Sequence, residues 1–167
     1  MEKGHGSRNS EIIEIAHALS ATGLDSIREL FQEYWTALGF TPCFQGFETE
    51  LQTLPGKYVP PQGRLLLATI DGAPAGCVAL RPFDETRGEM KRMYVRPRYR
   101  GRGIGEALVL ALAEEARKIG YGELIADTIP GAMATALAMY ERLGFERIAP
   151  YSNETPDALH IRLRLRT

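Results

Sequence analysis

The chain has 167 residues, 44% hydrophobic and 25% charged, which is ordinary usage for one soluble globular domain and excludes a disordered, collagen-like or coiled-coil chain. The formal net charge is −1, but residues 1–80 hold 5 basic and 9 acidic groups, residues 81–102 hold 8 and 3, and residues 103–167 hold 7 and 9. A local basic cluster in a near-neutral chain points to a discrete anion rather than a polyanion, so no nucleic-acid partner is expected, a solvated charged loop being the other reading. The longest mostly apolar run, Ala107 to Ala113, is too short to cross a bilayer, so no membrane partner is expected. The opening MEKGHGSRNS lacks an apolar stretch and shows no secretory signal, which makes a cytoplasmic location the default. Residues 1–10 read as a flexible N-terminus and residues 11–167 as one domain. Cys43 and Cys77 share no metal-ligand spacing, so neither a disulfide framework nor a metal site is expected.

Ile12, Ile13 and Ile15 suggest a short first strand, and Ile27, Leu30, Phe31, Tyr34, Trp35 and Leu38 then recur at helical spacing up to Gly39. Phe47, Leu51 and Leu54 fit two helical turns before Pro55. Arg64 to Ile70, the turn Asp71-Gly72, and Ala75 to Leu80 read as a β-hairpin, with a third strand from Glu89 to Val95. Ile104, Ala107, Leu108, Ala111, Leu112 and Ile119 predict a long helix ending at Gly120, followed by a strand from Glu123 to Asp127. Pro130 and Gly131 open a second helix with Met133, Ala136, Leu137 and Tyr140 on one face, closed by Gly144. At the end, Leu159, Ile161, Leu163 and Leu165 alternate with His160, Arg162, Arg164 and Arg166, which predicts a strand with one apolar and one cationic face.

The strongest chemical signal is Arg100-Gly-Arg-Gly-Ile-Gly105, between a predicted strand and a predicted helix N-terminus. Glycines let the backbone turn sharply and approach a ligand, so several N–H groups and the positive helix end converge on a phosphate. The dinucleotide fingerprint fails because Leu108 stands where its third Gly or Ala is required, and no Gly-Lys-Ser/Thr follows for a P-loop.

Val95-Arg-Pro-Arg-Tyr-Arg-Gly-Arg-Gly-Ile-Gly105 closely resembles the acetyl-CoA signature of the GNAT superfamily of N-acetyltransferases, R/Q-x-x-G-x-G after V-x-P. Ala138-Met-Tyr-Glu-Arg-Leu-Gly-Phe145 is similar to that family's LYEKLGF segment, so the likeness covers roughly residues 89–149. The resemblance implies an α+β, three-layer α/β/α fold with a mixed, mostly antiparallel sheet splayed at its centre. It also implies transfer of an acetyl group from the cosubstrate acetyl-CoA to a primary amine of a small molecule or peptide, directly in a ternary complex. A homodimer is one admissible state.

Carried over residue by residue, the resemblance implies that the main chain of Met93 and Val95 meets the acetyl carbonyl and pantetheine. Arg100, Gly101, Arg102, Gly103, Ile104, Gly105 and Glu106 would then hold the pyrophosphate. Many family members carry Asn seven residues before the tyrosine, where this chain has Met133; Thr128 and Thr135 are the available substitutes. Tyr140 is the candidate general acid, against the alternative of a core tyrosine. An alkylamine of pKa near 10.4 must lose its proton at neutral pH at a cost of roughly 4.6 kcal/mol, so a base or a desolvating pocket is required. Glu89 matches the position of the general base in one family branch, and strict alternation places Glu89, Lys91, Met93 and Val95 on one side of the strand. A surface Glu89–Lys91 pair is the bland reading, and Asp127 is the alternative base.

Phe44, Phe47, Tyr58 and Tyr151 are expected to flank the acceptor or to pin loops, and Arg81, Lys91 and Arg92 are candidates to receive an acceptor carboxylate. Rival classes are a non-catalytic acyl-CoA sensor, and a nucleic-acid binder using the basic segment and the Arg162/Arg164/Arg166 face.

Overall fold

A computed structural model describes residues 11–39, 46–129, 134–155 and 157–165. Cys43, Phe44, Pro130, Gly131, Met133, Arg166 and the N-terminal ten residues expected to be flexible lie outside the described residues. Strand β1 (Ile13–His17) leads into helix α1 (Ala21–Ala37), whose first turn is capped by the Ser20 hydroxyl accepting from the Gly23 N–H at 3.1 Å. Helix α2 (Phe47–Thr53) follows, then strands β2 (Arg64–Ile70) and β3 (Ala73–Pro82), joined by the two-residue turn Asp71-Gly72 with both φ angles positive. Next come β4 (Arg87–Val95), α3 (Ile104–Ile119), β5 (Glu123–Thr128), α4 (Ala134–Arg142), β6 (Glu146–Ile148) and β7 (Leu159–Arg164).

The strands form one sheet in the order β1-β2-β3-β4-β5-β7-β6. Neighbours are antiparallel except β4 and β5, which run parallel. Strands β2 and β3 carry near-continuous apolar runs, Leu65 to Ala68 and Ala75 to Leu80, because both of their faces are covered. On one face Leu66, Val78, Leu80 and Leu124 pack with Ile104, Leu108 and Leu112 of α3 and Tyr140 of α4. On the other, Leu65, Cys77 and Ala79 pack with Ile27, Leu30, Phe31 and Trp35 of α1 and Phe47 of α2. The expected three-layer α+β architecture with a mixed sheet is therefore the one observed.

Two local expectations change. β6, only three residues long, is too short to show a period of two and is not anticipated by the pattern. It puts Glu146 beside Arg162, which also reaches Glu123 at 3.4 Å, while His160 is buried. The polar side of β7 is thus partly neutralised and partly covered, where an open cationic face was expected.

The fold creates the site by failing to close the sheet. β4 and β5 pair only at Arg87–Glu123, Gly88–Leu124 and Glu89–Ile125, although both strands run on for several residues. Past Glu89 the edge of β4 that faces β5 has no strand partner, and its main-chain groups are left for a ligand.

Candidate active site

The divergence has a local cause. Between Cys77 and Ala79 of β3, β4 supplies one residue too many, since Cys77 faces Tyr94 and Ala79 faces Lys91. This β-bulge centres on Arg92, whose φ of 57° is uncommon for a residue with a side chain. The bulge breaks the strict alternation expected from the sequence. Glu89 and Lys91 lie opposite Arg81 and Ala79 on the α1 side of the sheet, whereas Met93 and Val95 approach Gly105 of α3 on the other side. Glu89 therefore does not share a face with Met93 and Val95.

The cleft between the parted strands is partly open to solvent. Its walls are Met90, Lys91, Arg92 and Met93 from β4, Ala126 to Ile129 from β5 and its end, Tyr140 from α4, Tyr34, Trp35 and Leu38 from the end of α1, and Thr155. Tyr140, Lys91 and Asp127, which lie far apart in sequence, are thus brought to one cavity. Glu89 is not in its lining. Its carboxylate is buried behind the wall, accepting from Arg81 Nε and from the Tyr151 hydroxyl, both at 2.7 Å. The carboxylate facing the cleft is Asp127.

Tyr140 is buried against Phe145, and no hydrogen bond of its hydroxyl is formed among the described residues. Burial pushes its phenol well above the usual range, so it keeps its proton at any working pH. Burial likewise raises Tyr34 to about 12, and burial followed by the charge of Glu50 and Glu89 raises Tyr58 and Tyr151 further. For a group whose pKa is raised on folding, the stabilisation is complete below the unfolded value and lost as pH climbs past it. An alkaline titration is expected to show these four tyrosines ionising well above about pH 10, together with loss of helical circular dichroism. Ionisation near pH 10 with the fold intact would contradict their burial.

Beyond Val95 the Arg100–Gly105 loop runs into α3, with Gly105 beside Met93 of the cleft wall. Gly101 and Gly103 hold φ of 80°, and no side chain caps the helix. The main-chain N–H groups of Gly101 to Glu106 have no acceptor among the described residues. Gly105 lies beside Val95, Met93 and Met139, with room for a Cβ in ordinary contact 3.6 Å from Val95 Cγ2 and Met139 Sδ. Such a row of free donors at a helix N-terminus is the electrostatic complement of a pyrophosphate. The side chains around it are partly committed: Arg102 pairs with Glu11, Glu106 with Arg142 at 3.0 Å, and Arg100 Nε donates to the Val95 carbonyl at 3.0 Å. Val95 thus keeps its N–H but not its carbonyl for a ligand, and Ile104 is a core residue.

Most of the basic segment is consumed internally. Arg81 pairs with Glu89, Arg87 with Asp84, Lys91 with Asp127, Arg92 with Glu50, and Arg96 with Glu29 and Glu33. With Arg102 on Glu11, only Arg98 and Arg100 of the eight have no carboxylate partner among the described residues. Phe47 and Tyr58 are core rings, Phe47 stacked on Trp35 at 4.3 Å and Tyr58 donating to Glu50 at 2.7 Å; neither lines the cleft. Tyr34, Trp35 and Leu38 do line it, and the sequence shows them only as part of an apolar helical stripe.

A sheet parted between two parallel strands, with a row of main-chain donors free among the described residues at a nearby helix N-terminus and a phenol and a carboxylate lining the gap, leaves room and donors for a long phosphorylated ligand. Comparison with known proteins gives the family. The profile of the acetyltransferase (GNAT) family matches residues 24–145, and the chain belongs to that family. An uncharacterised N-acetyltransferase of Schizosaccharomyces pombe is 37% identical over 145 residues, 85% of this chain and 88% of that one. The fold matches an acetyltransferase from Staphylococcus aureus with a TM-score of 0.78 at 19% identity, over 93% of this chain and 100% of that chain. It also matches the PaiA N-acetyltransferase of Thermoplasma acidophilum, solved with coenzyme A, with a TM-score of 0.71 at 20% identity over 92% and 99% of the two chains. Acetyl-CoA is the cosubstrate of the family, and the free donors of residues 101–106 fit its pyrophosphate. Among the described residues no helix is long and apolar enough to cross a membrane.

Proposed function

We propose that this chain is an N-acetyltransferase acting on a primary amine of a small molecule or peptide, by direct transfer within a ternary complex. The observation that carries the reading is one cleft holding a proton-bearing phenol, Tyr140, and a cleft-facing carboxylate, Asp127, beside an unpaired stretch of β4 main chain. Main-chain N–H groups of Gly101 to Glu106, with the charge of Arg100 and Arg102, hold the pyrophosphate, and the N–H groups of Met93 and Val95 orient the acyl end. Bound acetyl-CoA supplies a thioester whose acyl carbon accepts the amine and whose sulfur departs as a thiolate. Asp127 takes one proton of the incoming ammonium, Tyr140 gives its proton to the departing sulfur, and the second proton that leaves the nitrogen restores the Tyr140 phenol. Glu89, locked by Arg81 and Tyr151, positions the wall behind Lys91 and does not itself reach the amine.

The test is thiol release from acetyl-CoA against amino acids, polyamines, aminoglycosides and peptide N-termini, with thermal protection by acetyl-CoA measured in parallel. Protection without turnover of any amine would favour the sensor reading, and the absence of both would end the acetyltransferase one. Asp127→Asn is expected to lower kcat/KM by about 10²- to 10⁴-fold at neutral pH, recovering as pH rises toward the amine's own pKa, where no base is needed. Equal loss at every pH would assign Asp127 a structural role and return the base to Glu89.

A further inference from the structure

We infer that the acceptor is a free α-amino acid with an uncharged side chain, its carboxylate on Lys91 and its ammonium on Asp127; this rests on the acetyltransferase reading above. The cations near the cleft differ in how well they are partnered. Arg81 is held by Glu89 at 2.7 Å. Arg92 is held by Glu50 at 2.9 Å and lies over the Trp35 ring at 4.8 Å. Lys91 is only 6% exposed, yet its nearest carboxylate oxygens are 3.5 Å away on Asp127 and 3.9 Å away on Glu89. Charge-assisted N–H···O bonds normally close to about 2.7–2.9 Å, and an ammonium has three donors to place. Glu89 is already engaged by Arg81 and Tyr151, so it is not available to close on Lys91. A buried ammonium in the cleft wall is thus short of acceptors, and an anion entering the cleft supplies one.

The neighbouring Asp127 selects among anions. It repels a phosphate or a dicarboxylate but favours a ligand that brings its own cation. Lys91 Nζ and Asp127 Oδ1 stand 3.5 Å apart. The ammonium nitrogen and a carboxylate oxygen of an α-amino acid stand about 2.7–3.6 Å apart, set by three bond lengths, the angles between them and the torsion about Cα–C. The pair is therefore the charge-reversed image of a zwitterion. It sets the amine against Asp127, where its proton must go. The rest of the acceptor meets Tyr34, Trp35 and Leu38, which carry no charge and suit an apolar or aromatic side chain.

The experiment compares leucine, methionine and phenylalanine with their amides and with the corresponding decarboxylated amines, by thiol release from acetyl-CoA and by calorimetric binding to the enzyme–CoA complex. Free acids are expected to exceed amides by about 10- to 100-fold in kcat/KM, the range for one hydrogen bond to a charged group. Lys91→Met is expected to collapse that ratio toward one, and Lys91→Arg to restore part of it. Calorimetry should show the same preference without turnover. Amines turning over regardless of a neighbouring carboxylate would overturn the inference and leave the acetyltransferase intact. Preference for aspartate or glutamate over leucine would overturn the uncharged side chain. No turnover of any amine, with no amino-acid binding, would overturn both.

Discussion

Replacing Tyr140 by Phe is expected to lower kcat by about 10²- to 10⁴-fold, the range for a lost general acid, while leaving acetyl-CoA affinity nearly unchanged. The substitution removes one oxygen and keeps the ring that packs against Phe145 at 5.4 Å between centroids. The hydroxyl makes no hydrogen bond among the described residues, so its loss should not weaken the fold, and urea unfolding should show equal or slightly higher stability. What is lost is a proton donor that burial keeps neutral at the pH of the reaction. Steady-state kinetics with calorimetry of coenzyme A binding separates the two effects. Unchanged turnover would remove Tyr140 from the mechanism and return it to the core; a parallel loss of cosubstrate binding would make it a wall of the cleft and nothing more.

Arg92→Ala is expected to destabilise the fold by about 3–5 kcal/mol, the cost of leaving one member of a buried ion pair alone. Arg92 meets Glu50 of α2 through two contacts, at 2.9 and 3.3 Å, and lies over Trp35 of α1, so one guanidinium ties both helices to the bulged strand. Glu50 also accepts from the buried Tyr58 hydroxyl. Arg92 also holds the left-handed φ of the bulge, a conformation disfavoured for any residue with a Cβ, and the ion pair and ring contact offset that strain. Glu50→Gln keeps an acceptor for Tyr58 while removing the charge. Combined with Arg92→Met, it is expected to be less destabilising than the sum of the single changes, read from urea midpoints. Strict additivity would show that the pair is not coupled and that packing alone accounts for the loss.

Short-range chemistry was legible from the residues. The Asp71-Gly72 turn, the apolar stripes of α1 and α3, and the Gly-rich loop before Ile104 each depend on groups a few positions apart, and all appear where the pattern places them. The family likeness rests on the same kind of signal, since a phosphate cradle is a continuous loop followed by a helix N-terminus. Lys91 and Asp127 were visible only as isolated candidates.

The working arrangement of the site is a tertiary matter. The extra residue at Arg92 defeats a period-two reading because a bulge exists only against a partner strand, and β3 decides it. Glu89 is drawn behind the wall by Tyr151, 62 residues away, and the basic segment is discharged by acids as distant as Glu11, Glu29 and Glu50. Apart from β6, local sequence determined the elements, and with them the glycine-rich loop and its helix N-terminus, because backbone geometry and helix ends act over a few residues. Which carboxylate faces the cleft, and which cation is left short of close acceptors, was decided by folding, because buried charges settle their pairing only when distant strands and helices meet.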